Sequence, residues 1–278
     1  MDPDFALALT RRAVTFISLA SEYEFGATAR ALLDKAHADA ERALKLAPDL
    51  ADAHATLASL FETEIEYRKA REEYARAVAL APGDARVLRF AGGFAASMGD
   101  FDSGIKNLRR AVLLDPLNVR SQASLGQGLF AARRYDEAIA TLKPHLGVDP
   151  DDGTAAFQLG VAYLMKGDVE NARKACESVP DFWATSWCLG IVYDRLGRRA
   201  DSDRMVAKLR SSNGDGASYQ YATIYAQRGD LRAALEWMET ALRIHDPGLE
   251  YIKTDPLIDP LRKEPRFQAI AKQLDFPE

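Results

Sequence analysis

Cysteine is nearly absent from this chain, with only Cys176 and Cys188, twelve positions apart, among 278 residues. Two cysteines make no disulfide framework. Both fall on apolar helical faces and read as small buried hydrophobes. Histidine is almost as scarce. His37, His54, His145 and His245 have no close partner of metal-ligand type, and His54 and His145 fall at helix-packing positions. No metal or cofactor is therefore expected. No apolar run approaches the roughly 18 residues of a membrane span, and Met1-Asp2-Pro3-Asp4 lacks the basic start of a secretory signal. An excess of positive charge is missing too. Lys and Arg number 36 against 41 Asp and Glu, for a net charge of −5, which argues against nucleic-acid binding through bulk charge. Catalytic signatures are also lacking: there is no G-x-S-x-G, no Walker loop and no H-E-x-x-H. Gly92-Gly93 and Gly126-Gln127-Gly128 sit inside helical patterns, not after a strand, so they are not phosphate loops. The expectation is a soluble, cytoplasmic protein that is not an enzyme, with no catalytic residues and neither nucleic acid nor membrane as partner.

Alanine is plentiful, at 47 residues, and it is the best helix former. Small residues also recur at fixed spacing. Ala58, Gly92, Gly126 and Gly160 lie 34 positions apart, and the series goes on at Gly190 and Ala222. Twelve residues behind runs a second series: Ala70, Gly104, Ala138, Ala172, Ser202 and Ala234. Larger residues stand between them (Tyr67, Phe101, Tyr135, Val169, Leu231), and Pro82, Pro116 and Pro150 close three units. Gly99-Asp100, Gly167-Asp168 and Gly229-Asp230 mark turns, since Gly ends a helix in the left-handed conformation and Asp caps the next. Glu64-Ile65-Glu66 replaces that signal in the first unit. Asp84, Asn118 and Asp152 are further cap candidates, which makes Asp149–Asp152 an inter-repeat turn and not a calcium loop.

This pattern resembles the tetratricopeptide repeat (TPR), a 34-residue helix–turn–helix unit. The resemblance implies an all-α, right-handed superhelix of about seven helix pairs, with small residues where paired helices touch. Six units are expected at 51–84, 85–118, 119–152, 153–182, 183–214 and 215–247, together spanning 51–247. The fourth and fifth are degraded. Residues 1–50 read as a divergent helix pair with an insertion at Ser21–Lys35 and with Arg12 at an apolar position. Residues 248–278, rich in Asp and Pro, read as a capping segment, because a solenoid must cover its last apolar face. This ending, with the opening Asp2–Ala8, resembles the C-terminal TPR region of bacterial multidomain signalling proteins such as cyclases, winged-helix regulators and Ser/Thr kinases. That implies a regulatory module.

By the family pattern, the concave face takes Arg86, Arg89, Arg120, Gln127 and Phe130 from units two and three. It takes Phe157, Val161, Leu164, Met165, Trp187 and Ile191 from units four and five, and Gln220 from unit six. A basic sector thus leads into an apolar one. Exposed apolar surface marks an interaction site, and Trp, Phe and Arg are common binding anchors. The expected occupant is a protein or peptide partner. The alternatives are a second copy of the chain, which would make a homo-oligomer, or the chain's own termini. On the partner reading, Trp187→Ala abolishes binding without unfolding the array. The Lys/Asn pattern that clamps chaperone tails is not present at Ala55, Ser59, Arg89, Gly93, Ala123 and Gln127.

Overall fold

Helix pairs follow one another along the chain. The structure, a computed structural model, describes residues 5–22, 26–274 and 276–277. The first pair is α1 (Ala6–Glu22) and α2 (Gly26–Leu46). Next come α3 (Ala51–Thr63) with α4 (Tyr67–Leu80), and α5 (Ala85–Ser97) with α6 (Phe101–Leu114). Then follow α7 (Val119–Ala131) with α8 (Tyr135–Val148), and α9 (Gly153–Met165) with α10 (Val169–Glu177). The last pairs are α11 (Trp183–Arg195) with α12 (Arg199–Asn213), and α13 (Ser218–Gln227) with α14 (Leu231–Ile244). Short 3₁₀ turns at Pro247–Tyr251 and Pro256–Leu261 lead to α15 (Pro265–Gln273). No strand occurs among the described residues. The fold is an all-helical solenoid of seven pairs and a terminal segment.

The local chemistry explains the helix boundaries. Asp84, Asp100, Asn118, Asp152, Asp168 and Asp230 each accept a hydrogen bond from the backbone N–H three residues on, capping the helix that follows. Gly99, Gly167 and Gly229 take φ of +90°, +82° and +78° at the turns before their Asp caps. In the first and third turns Ile65 (φ 64°) and Arg133 (φ 59°) hold the same left-handed conformation without the glycine, at about 1–2 kcal/mol each. The small-residue series marks true close approach: a Cβ on Gly126 would lie 2.5 Å from a Leu142 methyl, and one on Gly104 would lie 2.8 Å from the Ala96 nitrogen.

The N-terminal pair differs from the expected helix–insertion–helix. Residues 26–35 are the first turns of α2, so most of the expected insertion is helix. Tyr23–Phe25, and the opening Met1–Asp4, lie outside the described residues. Arg12 is accommodated at its apolar position by a two-pronged ion pair, Nε and Nη2 to Asp39 at 2.6 and 2.7 Å. His54 and His145 are buried and satisfied. His54 bonds Glu73 and the Pro48 carbonyl, and His145 bonds Asp152.

The two ends of the array meet. One continuous core joins Ala55, Tyr67, Val87 and Phe94 to Tyr219, Met238, Leu249, Ile258, Leu261 and Phe267. Phe276 stacks on Tyr67, with ring centres 4.9 Å apart and planes within 4°.

Candidate functional site

The concave face is divided into a filled half and an open half. The apolar sector expected to face solvent is buried: Val161 is 1% exposed, Leu164 6%, Trp187 9% and Ile191 0%. Phe130 and Gln220 are buried as well, and Phe157 and Met165 are half-buried. This corrects the expectation of a free aromatic groove. The physical reason is that α9, α11 and α13 pack these side chains against one another, with the C-terminal segment folded back beside α13. Leu257 joins the same core as Val161, Trp187 and Ile191. Gln227 donates to the Leu257 carbonyl at 2.6 Å, and Arg133 grips both oxygens of Asp259 at 2.7 and 2.9 Å. Tyr219 donates to Asp255 at 2.9 Å, and Thr254 donates to the Ser97 carbonyl at 3.3 Å. The Trp187 indole N–H is spent on Thr223, at 2.7 Å, and its ring packs on Phe157 with centres 4.2 Å apart. Trp183 alone of this aromatic group remains largely open, at 48%.

The open half is a cavity of about 540 Å³ between α1, α3, α5, α7 and α9. Its walls are Val14 and Ile17, then Ala55 and Ser59, then Ala123 and Gln127, with Thr154 and Gln158 opposite. The small residues of α3 and α7 create the room. Arg89, Phe90 and Arg120 line it, and so do Asp149, Asp151 and Asp152. The three expected arginines behave differently. Arg86 is engaged: its Nε donates to Asp52 at 3.1 Å, and Arg11 holds the second Asp52 oxygen. Arg89 lies over the Phe90 ring at 4.1 Å. Burial, and then the charges of Arg120 and Arg86, lower its pKa to about 10. Among the described residues neither Arg89 nor Arg120 is paired with a carboxylate. The cavity thus sets two arginines without a carboxylate partner in the same wall as Asp149, Asp151 and Asp152. Gln158 donates to Gln127 at 3.3 Å, which leaves its own carbonyl oxygen without a donor.

Sequence reasoning finds Arg89, Arg120 and Gln127 but misses the wall from α1, because Val14 and Ile17 precede the regular repeats. Ala55 and Ser59 are legible only as small residues at groove positions. The cysteines also differ from expectation. Cys176 on α10 and Cys188 on α11 form a disulfide, with Cα atoms 6.1 Å apart, rather than two separate buried thiols. Reduction should release two thiols and lower stability by about 2–3 kcal/mol, as for other short loops. Denaturant unfolding with and without reductant measures this. No helix of the described residues is long and apolar enough to cross a membrane.

Comparison with known proteins agrees with this architecture. Tetratricopeptide-repeat family profiles match residues 95–143 and 124–186, and another matches 216–245. The chain is 38% identical over 78 residues to the type IV pilus assembly protein PilF of Pseudomonas aeruginosa, covering 28% of this chain and 31% of that protein. It is 24% identical over 242 residues to a DnaJ homolog subfamily C member 3 homolog of Dictyostelium discoideum, covering 82% of this chain and 42% of that one. The chain therefore spans less than half the length of these curated relatives. Among solved structures, a tetratricopeptide repeat protein from Parabacteroides merdae superposes with a TM-score of 0.59 at 13% identity, over 97% of this chain and 98% of that one. The pilus biogenesis factor PilW gives 0.56 at 20% identity, over 72% and 92%. These two are likenesses of fold. Residues 95–186 and 216–245 thus match the tetratricopeptide repeat, and they lie within a longer solenoid of helix pairs.

Proposed function

We propose that this chain is a non-catalytic protein-interaction module that takes an extended acidic segment of a partner in the open half of its concave face. One observation carries the reading: Arg89 and Arg120 face a cavity of about 540 Å³ without a carboxylate partner among the described residues. An unneutralised, partly desolvated guanidinium gains most from an anion that replaces its lost water. The walls suit a chain in extended form, with Gln127 and Gln158 offering amides to its backbone. On the proposed division into units 51–84 to 215–247, between an N-terminal pair and a cap at 248–278, the cavity spans the N-terminal pair and the first four regular units. A regulatory place in a bacterial signalling protein is part of the proposal, and the Cys176–Cys188 disulfide favours an oxidising compartment for it over the cytoplasm. Tetratricopeptide repeats as a family bind proteins, and relatives named for pilus assembly fit an assembly role equally. Self-association through the same groove is weakened as an alternative, since the apolar sector it needs is filled by the chain itself.

The test is a binding screen of fluorescent acidic, neutral and basic peptides against the whole chain. The expected result is selective binding of acidic peptides, weakened at least tenfold in Arg89→Ala/Arg120→Ala, with an unfolding midpoint close to wild type. Charge-indifferent binding, or a double variant that binds normally, rejects the reading.

A further inference from the structure

Helices α3, α5, α7 and α9 stand side by side along the concave face, and the repeat register sets their second residues in a row: Asp52, Arg86, Arg120 and Thr154. The first two neutralise each other, since the Arg86 Nε donates to Asp52 at 3.1 Å. One step along, Arg120 stands between Arg86, already engaged, and Thr154, which carries no charge. The row therefore leaves a guanidinium with no acid in register. Arg89 of α5 brings a second cation without a carboxylate partner into the same cavity, held over the Phe90 ring.

The opposite charge comes from the turn between α8 and α9, where Asp149, Asp151 and Asp152 line the cavity. Asp152 is committed to the fold. It accepts the Ala155 N–H at 3.0 Å, which caps α9, and it meets His145 at 2.8 Å. No ion pair or side-chain hydrogen bond of Asp149 or Asp151 occurs among the described residues. Gln158, from α9, lines the cavity too. It is 7% exposed, and its carbonyl oxygen lacks a donor. Among the described residues, one cavity thus brings together two arginines and two aspartates that the fold leaves unpaired, with an unsatisfied acceptor beside them.

We propose that the segment bound here is bipolar, setting a carboxylate on Arg89 and Arg120 and a lysine or arginine on Asp149 and Asp151. This rests on the reading of the cavity as a peptide site, and narrows the partner from an acidic segment to one that carries a base close to its acid. A chain with acids alone satisfies the arginines but brings like charge towards two open carboxylates. A chain with bases alone does the reverse. Charge of both signs gains at both places, and the wrong order is repelled at both. The scaffold also sets the spacing. Adjacent packed helices such as α7 and α9 have axes about 8–10 Å apart, and an extended chain advances about 3.3 Å per residue, so acid and base should stand about three residues apart. The N–H groups of the residues between them suit the Gln158 oxygen.

Anisotropy titrations of the full chain with dye-labelled peptides test this. One peptide carries a pair of glutamates in a Gly/Ser/Ala chain. A second adds a lysine at that spacing, and its isomer puts the lysine at the far end. The isomers have equal net charge, so the chain's overall charge of −5 favours neither. The near-lysine isomer should bind at least about threefold tighter than the far one, the gain of a partly exposed ion pair. Asp149→Asn/Asp151→Asn, which leaves the Asp152 cap in place, should erase that preference. Arg89→Ala/Arg120→Ala should weaken every glutamate peptide by about tenfold or more. Equal binding of the isomers, or a preference that survives in the Asn variant, overturns the bipolar reading, while arginine-dependent binding of the plain glutamate peptide still upholds the acidic one. Weaker binding of the plain glutamate peptide by the Asn variant also overturns it, since the aspartates then serve only to hold the arginines. Binding that ignores the arginines overturns both readings. Should the Asn variant fail to fold, the two isomers on the wild-type chain decide.

Discussion

Trp187→Ala should lower the stability of the chain by about 3–5 kcal/mol, the usual cost of truncating a buried Trp. This reverses the expectation from sequence, where Trp187 is a surface contact that can be removed without harm. The indole is 9% exposed and shares a core with Ile191, Tyr221 and Leu257. Its N–H donates to Thr223, whose hydroxyl donates onward to the Gln220 carbonyl. Removing the ring thus leaves a void beside Phe157 and strips Thr223 of its donor, and the two losses add. Urea unfolding is the measurement. The midpoint should fall strongly with little change in slope, because a point cavity alters stability more than the surface exposed on unfolding. A loss below about 1 kcal/mol, with weakened partner binding, would return Trp187 to the surface role.

The contrast between Trp187 and Arg89 shows what the sequence carries. Contacts set within one repeat are legible, because residue type and spacing encode them. Gly126 against Leu142, the Asp100 and Asp168 caps, and the left-handed Gly99 and Gly167 all follow from the 34-residue pattern. Even the degraded first turn is visible in Glu64-Ile65-Glu66, although Arg133 in the third turn gives no warning beyond the missing glycine. The division of the groove is not legible. Val161 and Ile191 occupy groove positions, and nothing local says that they will be buried in one core with Leu257, some 60 to 100 residues away. The Asp-Pro-Leu turns of the terminal segment carry no helical period from which a docking face can be read. Glu62 looks like one of a solvated run with Glu64 and Glu66, and only the folded chain gives it the Tyr74 hydroxyl. Short-range physics is therefore readable here and chain reversal is not. The basic residues survived as candidates because Arg89 and Arg120 lie beyond the reach of the segment that fills the rest.

Ile258→Asp should have the larger effect, and its reach should be long. Ile258 is 0% exposed, within the core that links Ala55, Val87 and Phe94 to Tyr219, Leu261 and Phe267. An unpaired carboxylate there costs several kcal/mol unless the segment leaves its place. Leaving is also expensive, because Leu249, Ile252, Leu257 and Leu261 go with it, and because Tyr219 and Gln227 lose Asp255 and the Leu257 carbonyl. An ordinary solenoid would confine such damage to the last repeat, since each unit touches only its neighbours. This array is closed, with Thr254 on the Ser97 carbonyl and Phe276 on Tyr67. The expected outcome is a single unfolding transition weakened by more than about 4 kcal/mol. Hydrogen-exchange protection should fall in α3 and α5 as well as in α13 and α14. Two separate transitions, with α3 and α5 still protected, would show that closure adds a cover to an independent array. One transition would show that the C-terminal segment is part of the cooperative unit, so that anything loosening it is felt at the helices that carry Arg89 and Arg120.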